Sequence, residues 1–371
     1  MLEKSSDVTE AENEKNWKAK LVGVGLSFLS AFMLLILNTI VKYKKLHFND
    51  VLLVRAVLQT ILAVFLLLMN GESVWIKDVD AGKNIYKIRI ILLSYGISGA
   101  IFISSNYIAI YFMPLGDAMT IILSSVLPTM ILSAIFLKER LRLYKSSCAV
   151  LVVMGIVLVI RPPFIFENST KLVMDQTSHN IKQNFINQTS TAKSFHSIQI
   201  DNSRDYFYYT GAIAALVCMM SAATYRIMMK VLVQNKSTSS FAIPLFYVSI
   251  ATLIAASVLP PFGGDQRIIF PSKTVEKYDN WQWLFLFVAT ILGIAQHIAR
   301  FKAIRLISPT LASFIRTSEI VVSYIVQITL FDTEPNLTSL IGSGLVMIAC
   351  IGVVLENWII SIVNPTIKDF L

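Results

Sequence analysis

Arg316 and Glu319 stand three residues apart in the middle of an apolar run, residues 308–331. An ionisable side chain at the centre of a membrane helix costs about 2.5 to 3.5 kcal/mol on insertion scales, so it is by default a functional signal whose partner must be found. The i, i+3 spacing puts both on one helix face, where they can pair with each other. In the alternative reading, Arg316 holds an anionic solute while Glu319 orients it or carries a coupling proton. A second run, 282–299, leads into the stripe Gly293, Gln296, His297 and Arg300, spaced i, i+3, i+4 and i+7 on one face. Such a stripe lines a cavity, or else Gly293 marks a close helix contact and Arg300 is simply a basic residue at the cytoplasmic edge. Tyr225 with Arg226, and Asn106 with Tyr107, pose the same choice between a cavity wall and an interhelical hydrogen bond. Three further ionisable residues, Arg55, Asp117 and Glu356, lie near the ends of their runs, where a side chain reaches water cheaply; they are expected to play no part. With Lys302 at the edge, basic groups outnumber acidic ones around the presumed cavity, which favours an anionic solute.

Enzymatic chemistry finds no support. The four histidines, His47, His179, His196 and His297, form no HExxH, and the chain has no GxSxG, no phosphate-binding loop and no acidic cluster for a metal. Cys148, Cys218 and Cys350 each sit in an apolar run without a CxxC pair, so they read as packing residues rather than a disulfide or zinc framework. No cofactor is expected.

The elements that must carry these residues follow from composition. Of 371 residues, 55% are hydrophobic and only 15% charged, against about 25% charged in ordinary soluble domains. Apolar runs of about 17 to 25 residues mark membrane helices, and ten are expected: 21–41, 51–69, 90–111, 116–137, 146–160, 207–229, 241–260, 282–299, 308–331 and 339–358. The polar residues 1–20 read as a cytoplasmic tail rather than a cleaved signal peptide, residues 161–206 as a solvated, disordered linker, and residues 359–371 as a second cytoplasmic tail.

A net charge of +9 would suggest nucleic acid in a soluble protein, but topology explains it better. With a cytoplasmic N-terminus, the cytoplasmic segments hold 18 Lys and Arg and the opposite side 11, or 6 without the long linker, as the positive-inside rule asks. Lys42, Lys44 and Lys45 fall on the wrong side of this scheme. The glycosylation triplets at Asn168 and Asn187 fall in the outward-facing linker and are usable there, whereas those at Asn235 and Asn336 are badly placed.

The linker divides the runs five and five. A shift of 195 residues aligns Pro114 with Pro309, Val126 with Val321, Phe136 with Phe331 and Glu139 with Glu334. In both halves a proline opens an apolar run and a glutamate closes it. Because five is odd, the second copy enters the membrane upside down. Inverted repeats are the architecture of many secondary transporters, whose central site faces either side in turn.

The stretches AIYFMPLGDAMTIILSSVLPTMILSAIFLKERL at 109–141 and GIAQHIARFKAIRLISPTLASFIRTSEIVVSYIVQITLFDTEP at 293–335 resemble the drug/metabolite transporter superfamily, in particular its EamA-type members. The second, with Gln296, Ala303, Tyr324 to Gln327 and Glu334-Pro335, is similar to subgroup G of the solute carriers related to nucleotide-sugar transporters. The resemblance spans about residues 20 to 360 without the linker. It implies two packed EamA repeats that export or exchange a solute, with Pro114, Pro128 and Glu139 marking the fourth helix of the first repeat and Pro309 and Glu334 that of the second. Ser323 stands where the pattern would repeat Pro128, and the linker is longer than usual. The solutes of this superfamily range over nucleotide-linked sugars, amines, amino acids and carboxylates, so membership names none.

The resulting expectation is an all-α integral membrane protein of ten transmembrane helices in two inverted five-helix repeats. It carries a small, anionic metabolite, an organic anion or nucleotide-linked sugar, by alternating access, driven by a gradient or by exchange. The alternative is a non-transporting membrane adaptor, indifferent to charge removal in its core. Expected partners are the solute and the lipid bilayer of the plasma membrane or of the ER or Golgi, with no nucleic acid; a homodimer is left open.

Overall fold

In lipid each backbone N–H and C=O must be bonded within the chain, which leaves the helix as the economical way for such apolar runs to fold. The computed structural model describes residues 2–71, 85–137, 143–161, 191–234, 241–258 and 279–363. Glu139, Asn168, Asn187 and Asn235 lie outside them, as does most of the expected linker. Among the described residues every regular element is an α-helix. The first half holds α1 (Leu2–Tyr43), α2 (Phe48–Met69), α3 (Ile85–Phe112), α4 (Leu115–Leu123), α5 (Val126–Leu137) and α6 (Leu143–Ile160). The second holds α7 (Thr191–Gln234), α8 (Ala242–Val258), α9 (Asn280–Leu306), α10 (Pro309–Thr317), α11 (Glu319–Phe331) and α12 (Leu337–Val363).

Among the described residues seven stretches are long and apolar enough to cross a membrane, with α4–α5 and α10–α11 each forming one; three shorter apolar helices accompany them, Val150–Ile160, Ala242–Val258 and Leu337–Ala349. Two expected polar segments are partly helical: α1 starts at Leu2, and α7 starts at Thr191, well before the apolar run that predicts it. Burial is inverted relative to a soluble protein. Leu68, Ile213 and Ile254 are 60 to 76% exposed whereas Gln59, Arg226 and Glu319 are 3% or less, as expected where the solvent is hydrocarbon.

The halves interlock. α1 packs on α9 and α7 on α3, α2 packs on α8, and α6 packs on α12. Exchanging each helix for its counterpart in the other half turns this set of pairs into itself, so the contacts have twofold pseudosymmetry. Gly155 of α6 approaches Val346 while Val159 meets Gly342, so the last helices of the two halves run antiparallel. A Cβ on Gly155 or Gly342 would lie 2.6 Å from the other glycine's carbonyl oxygen; small residues allow this backbone approach where no hydrophobic force drives helices together.

Two features repeat. First, the run opened by each proline is broken midway. Pro128 has no N–H for the Ser124 carbonyl, and an interior proline crowds the carbonyl four residues back. The chain instead makes three-residue bonds, Ser125 N to Ile122 O at 3.2 Å and Leu127 N to Ser124 O at 3.0 Å. The second copy breaks at Ser318, between α10 and α11, without a proline; Ser318 N donates to Ile315 O at 3.3 Å. Sequence reading treats both runs as continuous.

Second, a lysine caps each helix that precedes a break-bearing run. Lys42 Nζ donates to the carbonyls of Ile110, at 2.8 Å, and Met113 at the end of α3. Lys230 Nζ donates to those of Ile304 and Ile307 at 3.0 and 3.2 Å, at the end of α9. Ammonium groups suit helix C-termini, whose carbonyls lack partners and carry partial negative charge. Lys42, anomalous in the topology count, thus spends its charge inside the fold.

Candidate functional site

The polar residues of the interior converge between the two halves. α7 supplies Arg226, which is 2% exposed. Its guanidinium donates to Ser125 Oγ at 2.8 Å and Thr129 Oγ1 at 3.0 Å, on either side of the Pro128 break, and to Ser313 Oγ of α10 at 2.8 Å. All three acceptors are neutral hydroxyls. Arg316 lies in the last turn of α10 and Glu319 begins α11, and the two pair across the Ser318 break at 2.8 Å. The cation sits in the last turn of one helix and the anion in the first turn of the next, each favoured there by the helix dipole. The self-pairing of Arg316 and Glu319 is therefore present, but one guanidinium nitrogen, Nη1, is buried without a partner.

α9 delivers its whole stripe to the interior. Gly293, Gln296, His297 and Arg300 are all buried. Arg300, 3% exposed, is no edge residue: its guanidinium lies over the Phe102 ring at 5.2 Å, and the Gln296 amide, oriented oxygen first, faces it. His297 Nδ1 bonds Tyr225 OH at 3.0 Å, and Tyr225 OH bonds Tyr95 OH at 2.8 Å, a hydroxyl chain whose far end, His297 Nε2, is buried and unpartnered. Arg300, Arg316 and Glu319 act electrostatically on Arg226, and Arg55, Arg300 and Arg316 act on His297.

Arg55 corrects the reading that sets it aside by depth. α2 begins at Phe48 rather than 51, so Arg55 lies two turns inside and is 2% exposed. It donates to Tyr107 OH at 2.7 Å and to the carbonyl of Gly293 at 3.0 Å. A Cβ at Gly293 would lie 2.9 Å from Arg55 Cζ, so the glycine makes room for the guanidinium. Asp117 is likewise buried, at 5% exposure, because α7 and α11 cover the N-terminus of α4; it accepts from Tyr324 OH at 3.0 Å and Tyr208 OH at 3.3 Å. Side chains within residues 349–363, Glu356 included, are outside the description apart from Ala349, Ile351 and Gly352. Asn106 takes the interhelical option, donating to Asn38 Oδ1 at 3.1 Å. Sequence reasoning missed Tyr95, Phe102, Ser125, Thr129 and Ser313, whose types are common on any packed helix face.

Of the marker residues, Pro114 caps α4, Pro309 opens α10 behind the Ser308 cap, Pro128 causes the first break, and Glu334 is exposed just beyond α11.

Residues 17–161 and 209–355, the two halves, match the EamA-like transporter family. The chain belongs to this family. Among its relatives, solute carrier family 35 member G1 of Mus musculus is 25% identical over 95% of this chain and 83% of its own length. The protein of the same name from Homo sapiens is 24% identical over 94% and 83%. A crystal structure sharing 14% identity overlays with a TM-score of 0.51 over 91% of this chain and 97% of its own, a likeness of fold. This EamA-like chain is therefore a multi-pass membrane protein of a transporter family, with two repeats whose interface holds the buried arginines.

Proposed function

We propose that this EamA-like protein is a ten-helix secondary transporter that carries a small organic anion by alternating access between its inverted repeats. The observation that carries the reading is the isolation of Arg226 and Arg300. Both are buried, and among the described residues neither they nor Arg55 has a carboxylate partner; Glu319 serves Arg316. A buried charge without a counter-ion is strongly disfavoured, and an anionic solute supplies the missing one. Unpartnered atoms at Arg55 Nε, His297 Nε2 and Arg316 Nη1 add hydrogen-bond donors or acceptors in the same region, each costing about 1 to 3 kcal/mol when left unsatisfied.

In this reading Arg226 and Arg300 attract the anion, Arg316 and His297 complete its hydrogen bonds, and Glu319 keeps Arg316 oriented. Tyr107, Tyr225, Gln296 and Asn106 hold these groups in place. The breaks at Ser124–Ser125 and Ser318 set freed backbone beside the site, as discontinuous helices do in other secondary transporters. Both termini face the cytoplasm and the 161–206 segment faces outside or lumen, where Asn168 and Asn187 can be glycosylated.

The test is uptake by purified protein in liposomes against a panel of carboxylates, sugar phosphates and nucleotide-linked sugars, with cations and neutral sugars as controls. Uptake of an anion that disappears in Arg226→Gln and Arg300→Gln supports the proposal. Uptake only of a cation or neutral solute rejects the anionic assignment, and a protein that moves nothing while its arginine variants behave as wild type fits a membrane adaptor.

A further inference from the structure

Asp117 is a buried carboxylate that the solute site does not use. It stands in the first turn of α4 and is held by hydroxyls from two helices of the other repeat, Tyr324 of α11 at 3.0 Å and Tyr208 of α7 at 3.3 Å. The bonds around it also cross between repeats. Gly116 N donates to Gln327 Oε1 at 2.8 Å, and a Cβ on Gly116 would lie 2.5 Å from the Tyr324 ring, so only glycine lets α11 come this close. Thr120, one turn along, is fully buried 3.5 Å from Tyr324 OH. Beyond the end of α6, Arg161 donates to Ser339 Oγ of α12 at 3.0 Å.

The pseudosymmetry provides the comparison. The shift that aligns Pro114 with Pro309 places Leu311 and Ala312 where Gly116 and Asp117 stand, and Thr129 and Leu132 where Tyr324 and Gln327 stand. No carboxylate, phenol or amide is available there, and Thr129 is engaged with Arg226. The inverted arrangement puts these two places on opposite faces of the fold, so a carboxylate held by phenols ties the repeats on one face, whereas at its counterpart the repeats are bridged by Arg226, which is part of the solute site.

Building on the transport reading, we propose that Asp117 is the latch of one gate: its bonds to Tyr324 and Tyr208 hold the face that carries Lys42 and Arg161 shut, and they must break for that face to open. Lys42, Tyr208, Tyr324 and Arg161 are the ionisable groups around it. Lys42 is committed to the carbonyls of Ile110 and Met113 and Arg161 to Ser339, so the two tyrosines, with the Ser339 hydroxyl of α12 beside them, carry the latch. The bonds span helices that alternating access requires to separate, while the bridge at the counterpart runs through Arg226, whose guanidinium an anionic solute can engage in place of the hydroxyls. The latch thus biases the empty protein toward the state closed on the Asp117 face.

The test uses the full-length protein in membranes with Cys148, Cys218 and Cys350 changed to Ser, and single reporters Thr120→Cys below the latch and Ala312→Cys on the opposite face. A membrane-impermeant maleimide should label Thr120→Cys at least tenfold faster when Asp117→Asn or Tyr324→Phe is added, and Ala312→Cys more slowly. Combining Asp117→Asn with Tyr324→Phe should add little to either alone. Unchanged rates, or both reporters speeding up together, would overturn the latch. If Asp117→Asn does not reach the membrane, the pair Tyr208→Phe and Tyr324→Phe removes both tyrosine bonds and is read the same way. Labelling that shifts as described in a protein carrying no anion would reject the transport reading and leave the gate standing.

Discussion

Asn106 donates a hydrogen bond to Asn38 across 3.1 Å, and this neutral pair occupies in the first repeat the places that Arg300 and Arg226 occupy in the second. The register that matches Gly99 with Gly293 also matches Asn106 with Arg300, and the register that matches the caps Lys42 and Lys230 matches Asn38 with Arg226. The positive charge of the interface therefore belongs mostly to one repeat. An anion held there sits off the pseudosymmetry axis, between a charged lobe and an amide lobe, which fixes its orientation as well as its sign.

Arg226→Gln should abolish anion uptake, by tenfold or more, while the protein still reaches the membrane. Its acceptors lose little structurally, since Thr129 and Ser313 hydroxyls already bond the carbonyls of Ser125 and Pro309. Uptake and thermal melting of the same preparation separate the two effects; a collapse in melting temperature would make Arg226 a structural residue.

Glu319→Gln removes one partner of the buried ion pair and should cost about 3 to 5 kcal/mol, the usual penalty for stranding a buried charge. The double variant with Arg316→Gln should recover much of that loss. A cycle of melting temperatures across the four proteins checks it, and additive losses would mean that the pair is not coupled.

Gly342→Val should destabilise the α6–α12 contact strongly, because the new Cβ meets the Gly155 carbonyl oxygen at 2.6 Å and that backbone cannot rotate away. Overpacking of this kind costs about 1 to 3 kcal/mol or more. Gly344→Val one turn-half along meets open space and should melt like wild type.

Lys42→Met should leave the two termini on the same side of the membrane as in the wild type, because its ammonium is tied to helix carbonyls and adds little to the loop charge that orients the protein. Protease accessibility of tags at the two ends reads this directly. Inversion on removing Lys42 alone would show that its charge acts as a loop charge.

The apolar runs made the helices and their duplication legible, since lipid forces the backbone into helices wherever such runs occur. The Gly293-Gln296-His297-Arg300 stripe was legible for the same reason: period 3.6 puts it on one face. The breaks were half legible. Pro128 announces the first, but the break at Ser318 has no proline and arises where Arg316 and Glu319 meet between two half-helices. Arg55 and Asp117 were misread because distance to a helix end stood in for distance to water. A neighbouring helix can bury an end, and that is set by partners far away in the chain, Gly293 for Arg55 and Tyr324 for Asp117.

Arg55, Arg226, Arg300 and Arg316 against Glu319 leave a surplus of three positive charges around the interface. An electrical potential across the bilayer acts on fixed charge at about 2.3 kcal/mol per elementary charge per 100 mV. Any rearrangement that moves these guanidiniums through even part of the field couples the empty carrier's return to voltage, whereas a carrier loaded with a polyanion is nearly electroneutral and indifferent to it. Exchange of anion for anion should then run equally well at any clamped potential, and net uptake should not.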